Sequence, residues 1–385
     1  TICWELTALF AYAMRADSDA RSAARSTAGD VAAHAQNAWR LSMKSPGRAG
    51  CTPPNHGLWS GAMNLADVLK SAPEKRAQIR ELTALQPLWN LKILVLLGMW
   101  IAAGWAIVST DSLAVRIPAW IVIGMVIHSF AIFLHESVHG LLFKNEFLNR
   151  WVGFLCGVPA LIAVAGYRAI HLPHHAHTRT PEDPDEMLIE GTPPWLARIG
   201  LYLWLIAGGP YYIFLHVPFK GFLITDSKTR REMVVEYTLI FAIFAGLIYA
   251  AYSTGRMDLF VNLWLIPAAV ALVLVNLRGA AEHIMCVATD DFTDSRTVTS
   301  NRVISFAMNN LNYHLEHHLV ARIPWYNLKR FHAIMLDEYG PANSHIRKSY
   351  ASFITELIIK GPLGEETWHL RGLAQPPQEP QAQLP

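Results

Sequence analysis

Long apolar runs separated by short polar links dominate the pattern of this chain. Residues 91–109 and 117–134 are two such runs. Each is near the roughly 20 residues that carry a helix across the hydrocarbon core of a bilayer. The link at 110–116 is short, so the pair predicts a helical hairpin. A second hairpin is predicted from the runs at 234–252 and 259–277, joined by 253–258. Two further apolar stretches are less regular. The first, 151–166, is short and contains Gly153, Gly157 and Pro159. The second, 195–217, carries Gly208-Gly209-Pro210 among several aromatics. Ahead of the first hairpin, residues 64–86 space apolar positions among Lys70, Glu74, Lys75, Arg76 and Arg80, which predicts an amphipathic surface helix.

The polar positions that matter most are histidines, and they stand just beyond these runs. Three clusters are His135-Glu136-Ser137-Val138-His139, His171-Leu172-Pro173-His174-His175 and His314-Leu315-Glu316-His317-His318, with His283 as an outlier. A shared site cannot be built across a bilayer. If 151–166 crossed fully, the second cluster would face away from the first. Both irregular stretches are therefore read as re-entrant or interfacial. The predicted fold is an all-α integral membrane protein with four transmembrane helices in two hairpins, interfacial helices and a cap carrying the histidines. The basic segment 219–232, with Lys220, Lys228, Arg230 and Arg231, places that face in the cytoplasm.

Composition agrees with a membrane-embedded body. Hydrophobic residues make up 52% and charged residues 16% of the 385-residue chain, against about 25% charged in ordinary soluble domains. A net charge of +2 gives no reason to expect nucleic acid. Cys3, Cys51, Cys156 and Cys286 are widely spaced and offer neither a disulfide framework nor a thiolate metal site. Residues 1–62 are rich in Ala, Ser, Arg and Gly and predict little order. They read as upstream sequence ahead of a natural start at Met63, which peptides from residues 20–50 in the native protein would disprove. Residues 63–370 form the membrane domain on this reading, and 371–385 a disordered, Pro/Gln-rich tail.

On a helix, His135 and His139 share a face one turn apart. In each H-x-x-H-H string the first two histidines also share a face, while the third points about 100° away. Such a triplet can serve two ions. Two triplets, a pair and His283 suit two metals with four or five imidazoles each. Neutral imidazole suits iron, copper, zinc and nickel. An all-nitrogen set for two ions points to an oxygen-activating di-iron centre more than to structural zinc. The first cluster also matches H-E-x-x-H, the zinc-protease string with Glu136 as general base. That reading leaves at least six clustered histidines idle. A histidine-rich membrane receptor that binds metal without oxygen chemistry is the third class. Outside the clusters, His216 and His332 read as ordinary polar groups, and His177 as a surface or supporting residue. His128 either lines a substrate channel or is a satisfied interior histidine.

At these residues the chain resembles the membrane fatty acid desaturase family, over roughly residues 88–336. His135 to Gly140 resembles the first histidine box, which more often has Asp after the leading His. Residues 168–185, with Pro181-Glu182-Asp183-Pro184-Asp185, resemble the second box and its flank. Residues 312–319, followed by Ile323-Pro324-Trp325-Tyr326-Asn327-Leu328, resemble the third. The resemblance implies two non-haem iron ions, held by His135, His139, His171, His174, His175, His283, His314, His317 and His318. It implies an enzyme that uses O2 and two electrons to remove hydrogens from an unactivated fatty acyl chain. Related members hydroxylate or ketolate instead; removal of a second hydrogen gives an alkene, and transfer of hydroxyl gives an alcohol. Some members hold an iron through a water on an Asn one turn before the extra His, where this chain has Gly279; Asn276 lies a turn further back. Glu282 and Glu316 are candidates to orient ligand rings. No fused electron carrier is visible, so electrons are expected from a separate ferredoxin, rubredoxin or cytochrome b5 with its reductase. Arg179, Lys329 and Arg330 are candidates for docking it, or simply positive-inside charge.

Overall fold

The computed structural model describes residues 65–180, 182–186, 192–286, 291–336 and 346–363. The readings of 1–62 and 371–385 fall outside these residues. The amphipathic stretch forms two helices, α1 (Leu65–Ser71) and α2 (Pro73–Leu82). Pro73 has no N–H to continue a helix but suits the first turn of a new one, which sets the break.

The first apolar run is a 3-10 turn, Pro87–Leu91, leading into α3 (Lys92–Val108). The second is α4 (Leu113–Val138), which extends beyond its apolar run through His135. The short Gly/Pro-containing stretch becomes α5 (Glu146–Gly157), a 3-10 turn Val158–Ala160, and α6 (Val164–His177). The two helices meet at a 97° bend, where Leu161 takes left-handed backbone geometry with φ of 59°. Next come α7 (Pro194–Tyr211), a π-helical continuation Tyr212–Lys220 and a last turn Gly221–Ile224. Pro218 lies within the widened turns, where it has no N–H to give to a regular ladder. The second hairpin is α8 (Ser227–Ser253), then Met257–Phe260, a π-helical segment Val261–Leu265 and α9 (Ile266–His283).

Among the described residues, five helices are long and apolar enough to cross a membrane: Pro87–Val108, Leu113–Val138, Pro194–Ile224, Ser227–Ser253 and Met257–His283. The sequence reading counted four. The difference is Pro194–Ile224, which continues past Val217 to 31 residues. α4 is the central helix: 61% of its apolar window is buried within the protein, against 11–28% for the other four. Their outer faces carry side chains such as Trp105, Ile206 and Tyr249, which are largely exposed and suit lipid. α9 crosses close to α4 at Gly124, where an added methyl would stand 2.6 Å from Val270 Cγ1.

The chain after α9 forms a cap. It contains β1 (Thr297–Val298), α10 (Arg302–Ala307), α11 (His314–Leu319), α12 (Leu328–Met335), β2 (Ile346–Arg347) and α13 (Tyr350–Lys360). β1 and β2 pair in parallel, Thr297 opposite Ile346. Ile79, Leu82, Leu315, Phe331 and Phe353 share one buried cluster. Each such side chain contributes about 1.5–3 kcal/mol on burial. That cluster seats the short α11, which is too brief to be stable alone.

Candidate metal centre

The nine clustered histidines are delivered by four helix ends. His135 lies in the last turn of α4 and His139 caps it. His171, His174 and His175 occupy the final turns of α6, and His283 is the last residue of α9. His314, His317 and His318 lie on α11. Their rings converge in two neighbouring groups.

In the first group, one ligand atom from each of His135, His139, His171, His175 and His317 lies within 4.8 Å of all the others. The Nε2 atoms of His139 and His171 are 3.0 Å apart, those of His171 and His175 3.1 Å, and those of His175 and His317 3.0 Å. His174, His283 and His318 satisfy the same limit in the second group. His314 joins it, with its Nε2 3.0 Å from those of both His283 and His318. The groups adjoin: the His175 and His318 rings stack at 4.3 Å between centroids.

These spacings test the fit to a metal. Neighbouring nitrogens at right angles around one ion, with bonds of about 2.1 Å, stand about 3.0 Å apart; tetrahedral neighbours stand about 3.4 Å apart. The observed edges match the right-angle case. His135 Nε2 is buried with no hydrogen-bond partner, as a metal-directed nitrogen would be. Burial, with a smaller contribution from His174, pulls His139 down to about 3, and burial holds His314, His317 and His318 well below the ordinary histidine value. These rings are therefore neutral at pH 7 and keep a lone pair to donate.

Asp183 and a hydroxyl bond ring nitrogens from behind, and two further carboxylates stand close by. Both oxygens of Asp183 stand 3.0 Å from His174 Nδ1. Asp183 also accepts the backbone N–H groups of Arg179, at 3.0 Å, and Asp185, at 2.8 Å. Burial pushes this carboxyl up, but the His174 ring and the two N–H groups more than offset it and hold it below the usual range. Glu282 Oε1 lies 3.4 Å from His314 Nδ1 and 3.1 Å from Arg278 Nη1. Glu136 Oε1 lies 3.4 Å from His135 Nδ1, while its Oε2 accepts the Trp325 N–H at 2.9 Å. Thr178 Oγ1 is 3.2 Å from His318 Nδ1.

Other sequence candidates are placed elsewhere. Glu316 bonds His332 Nδ1 at 2.5 Å and accepts from Thr297 Oγ1, so it ties α11 to α12 and β1 within the cap. His332 is accordingly a buried structural partner. Asn276 donates to the carbonyls of Trp204, at 3.0 Å, and Leu205, at 2.9 Å, joining α9 to α7. His128 is buried in α4 with its Nε2 unpartnered, and belongs to neither group. His216 bonds Asp185 at 2.9 Å. Arg179 is buried against the Cys286 carbonyl and Glu186, which withdraws it from any docking surface. Asp183 and Thr178 were not singled out from the sequence. Only the acidic run after the second box hinted at Asp183.

The family model for fatty acid desaturases matches residues 111–350, spanning all nine histidines. The chain belongs to the fatty acid desaturase family. It is similar to dihydrorhizobitoxine desaturase of Bradyrhizobium elkanii, at 26% identity over 70% of this chain and 81% of the relative. It is 26% identical to a sphingolipid delta(4)-desaturase of Drosophila melanogaster over 78% of this chain and 91% of the relative. An sn-1 acyl-lipid omega-3 desaturase (ferredoxin) of Synechocystis is also 26% identical, over 55% of this chain and 64% of the relative. The chain is thus a desaturase-like oxidoreductase of lipid metabolism, with histidine clusters able to bind metal at the ends of apolar helices.

Proposed function

We propose that this fatty acid desaturase family member is an O2-dependent membrane enzyme that introduces a double bond into a fatty acyl chain at a centre of two iron ions. The observation that carries this reading is the convergence of nine imidazoles into two adjoining groups with right-angle spacing. His135, His139, His171, His175 and His317 would hold one ion; His174, His283, His314 and His318 would hold the other. When bound, such ions supply the oxygen-activating redox chemistry that an unactivated C–H bond requires. The protein's own residues position that chemistry. Asp183 aims His174 by engaging the nitrogen opposite the ion, and Glu282 stands near His314 while bonded to Arg278. Electrons would come from a separate carrier such as a ferredoxin, rubredoxin or cytochrome b5.

Four of the five long helices cross the membrane on this reading. Three of the five long helices lie between His175 and His283 in sequence. An odd number of crossings there would separate rings that stand 4.8 Å apart in His174 and His283. Pro194–Ile224 is the one that lies along the interface. Its midpoint is held at the level of the site, since Tyr212 and His216 both bond Asp185, two residues beyond Asp183. The basic residues Lys220, Lys228, Arg230 and Arg231 support a cytoplasmic position for this face.

The zinc-protease reading is weakened by Glu136. Its carboxylate faces the Nδ1 edge of His135 and the Trp325 N–H, not the converging Nε2 atoms where a metal-bound water would sit. Hydroxylation or ketolation remains the second outcome on the same scaffold. Lipid mass spectrometry of a host expressing the chain tests the choice. Desaturation gives products lighter by two hydrogens; products heavier by one oxygen, or no iron in the purified protein, would refute this reading.

A further inference from the structure

Three residues just after α6, Thr178, Arg179 and Asp183, reach all three segments that carry the second histidine group. Thr178 Oγ1 donates to the His174 carbonyl at 2.8 Å. A hydroxyl has one proton to give, so at His318 Nδ1, 3.2 Å away, it accepts. That leaves the lone pair of His318 on Nε2. Asp183 holds His174 Nδ1 with both oxygens at 3.0 Å. Arg179 reaches backbone instead. Its Nε and Nη2 both donate to the Cys286 carbonyl, at 3.3 and 3.2 Å, just beyond His283 at the end of α9.

His283 depends on such a hold. Among the described residues no side chain bonds its Nδ1, so its ring is aimed by the backbone that ends α9. The chain turns sharply there. Cys286 N–H donates to the His283 carbonyl at 3.2 Å, and Met285 takes left-handed geometry with φ of 62°. Arg296, fully buried, donates to the Ala281 carbonyl at 2.7 Å. The last carbonyls of a helix lack intrahelical donors, and cations are favoured beside them. Arg296 and Arg179 therefore grip the chain on either side of His283. Arg179 is itself left-handed, with φ of 62°. A residue with a side chain persists in that conformation only where its surroundings over-determine it. Here its backbone N–H is held by Asp183 at 3.0 Å, and its buried guanidinium by the Cys286 carbonyl and by Glu186 at 3.1 Å.

We infer that Arg179 is a positioning residue: it sets His283 against His174 and so completes the second ion site. The inference rests on the two-ion reading above. The His174 and His283 rings stand on separate helices with centroids 4.8 Å apart. A continuous line of contacts joins their supports, from Asp183 through the Arg179 backbone and guanidinium to the Cys286 carbonyl. The first group takes its rings from α4, α6 and α11 and none from α9. Loosening the end of α9 therefore disturbs one ion and spares the other.

The test uses the full chain in nanodiscs, stripped of metal and titrated with Co2+, which imidazole sites bind and whose absorption reports each ion. Glu186→Gln removes the paired carboxylate and keeps the guanidinium on the Cys286 carbonyl. It is expected to bind two cobalt ions as the wild type does. R179Q/E186Q removes the grip without leaving a lone buried charge. It is expected to hold one ion with wild-type affinity and the other about tenfold or more weakly. Arg179→Lys keeps the charge but lacks the planar fork that serves both partners, and should weaken the same ion by less. Wild-type affinity at both ions in every Arg179 variant that folds would overturn the inference. So would equal weakening of both ions, which would make Arg179 a general structural tie. A wild-type chain that fails to take two ions would refute the two-ion reading, and the positioning role with it, before any variant is compared.

Discussion

Replacing Asp183 with Ala separates the two histidine groups experimentally. Asp183 is buried and holds His174 Nδ1 with both oxygens at 3.0 Å. His174 belongs to the second group only. Losing the carboxylate behind a metal-bound histidine typically costs 10–100-fold in metal affinity, or about 1.4–2.8 kcal/mol. The expected result is one tightly held iron per chain and one that a chelator removes at roughly 10–100-fold lower concentration. A second effect is independent of metal. The N–H groups of Arg179 and Asp185 lose their acceptor, at about 1–3 kcal/mol for each that stays buried and unpaired, so the metal-free protein should also melt earlier. Asp183→Asn retains one carbonyl oxygen but turns an NH2 toward a donor, and should fall between wild type and Ala. Chelator competition with iron quantified per folded chain, checked by circular dichroism, reads the first effect. Equal loss of both irons, or no loss of either, would refute the division into groups and the role given to Asp183.

His317→Ala removes a ring whose Nε2 lies 3.0 Å from that of His175; it should reduce bound iron and abolish product formation, and full activity in a folded variant would remove the metal reading. Glu136→Ala leaves the buried Trp325 N–H without its acceptor, which should lower the thermal midpoint by an amount equivalent to about 1–3 kcal/mol while some iron and some activity persist; complete inactivation with metal affinity unchanged would instead favour a general-base role. In the metal-free protein, burial lowers His139 from 6.5 to about 3 and also lowers His314, His317 and His318. At these four rings the unfolded chain therefore binds more protons between these limits, and the stability they contribute falls as pH drops from 6.5 toward 3. A thermal midpoint that stays level between about pH 7 and pH 5 would contradict this.

The sequence by itself determined the apolar helices, their hairpin pairing and the nine histidines, because each is a local property. Hydrophobic run length predicts a helix of crossing length, and i, i+3 and i+4 spacing predicts a shared face. The requirement that His135 and His171 meet also anticipated that 151–166 would turn back, and the chain bends by 97° there. What decides helix ends is less local. α4 runs on through His135 because that turn is buried by α6 and the cap, not because its residues are apolar. Only tertiary structure decided how the rings divide. His174 and His175 are adjacent in sequence, yet they join different groups because neighbouring residues of a helix point about 100° apart. Tertiary structure also chose the carboxylates behind the rings. Glu316 stands between two ligand candidates but turns to His332 and Thr297, while Asp183 reaches back nine residues to His174. A carboxylate's partner is set by whichever donor the folded chain brings within about 3 Å, and no spacing rule in the sequence encodes that distance.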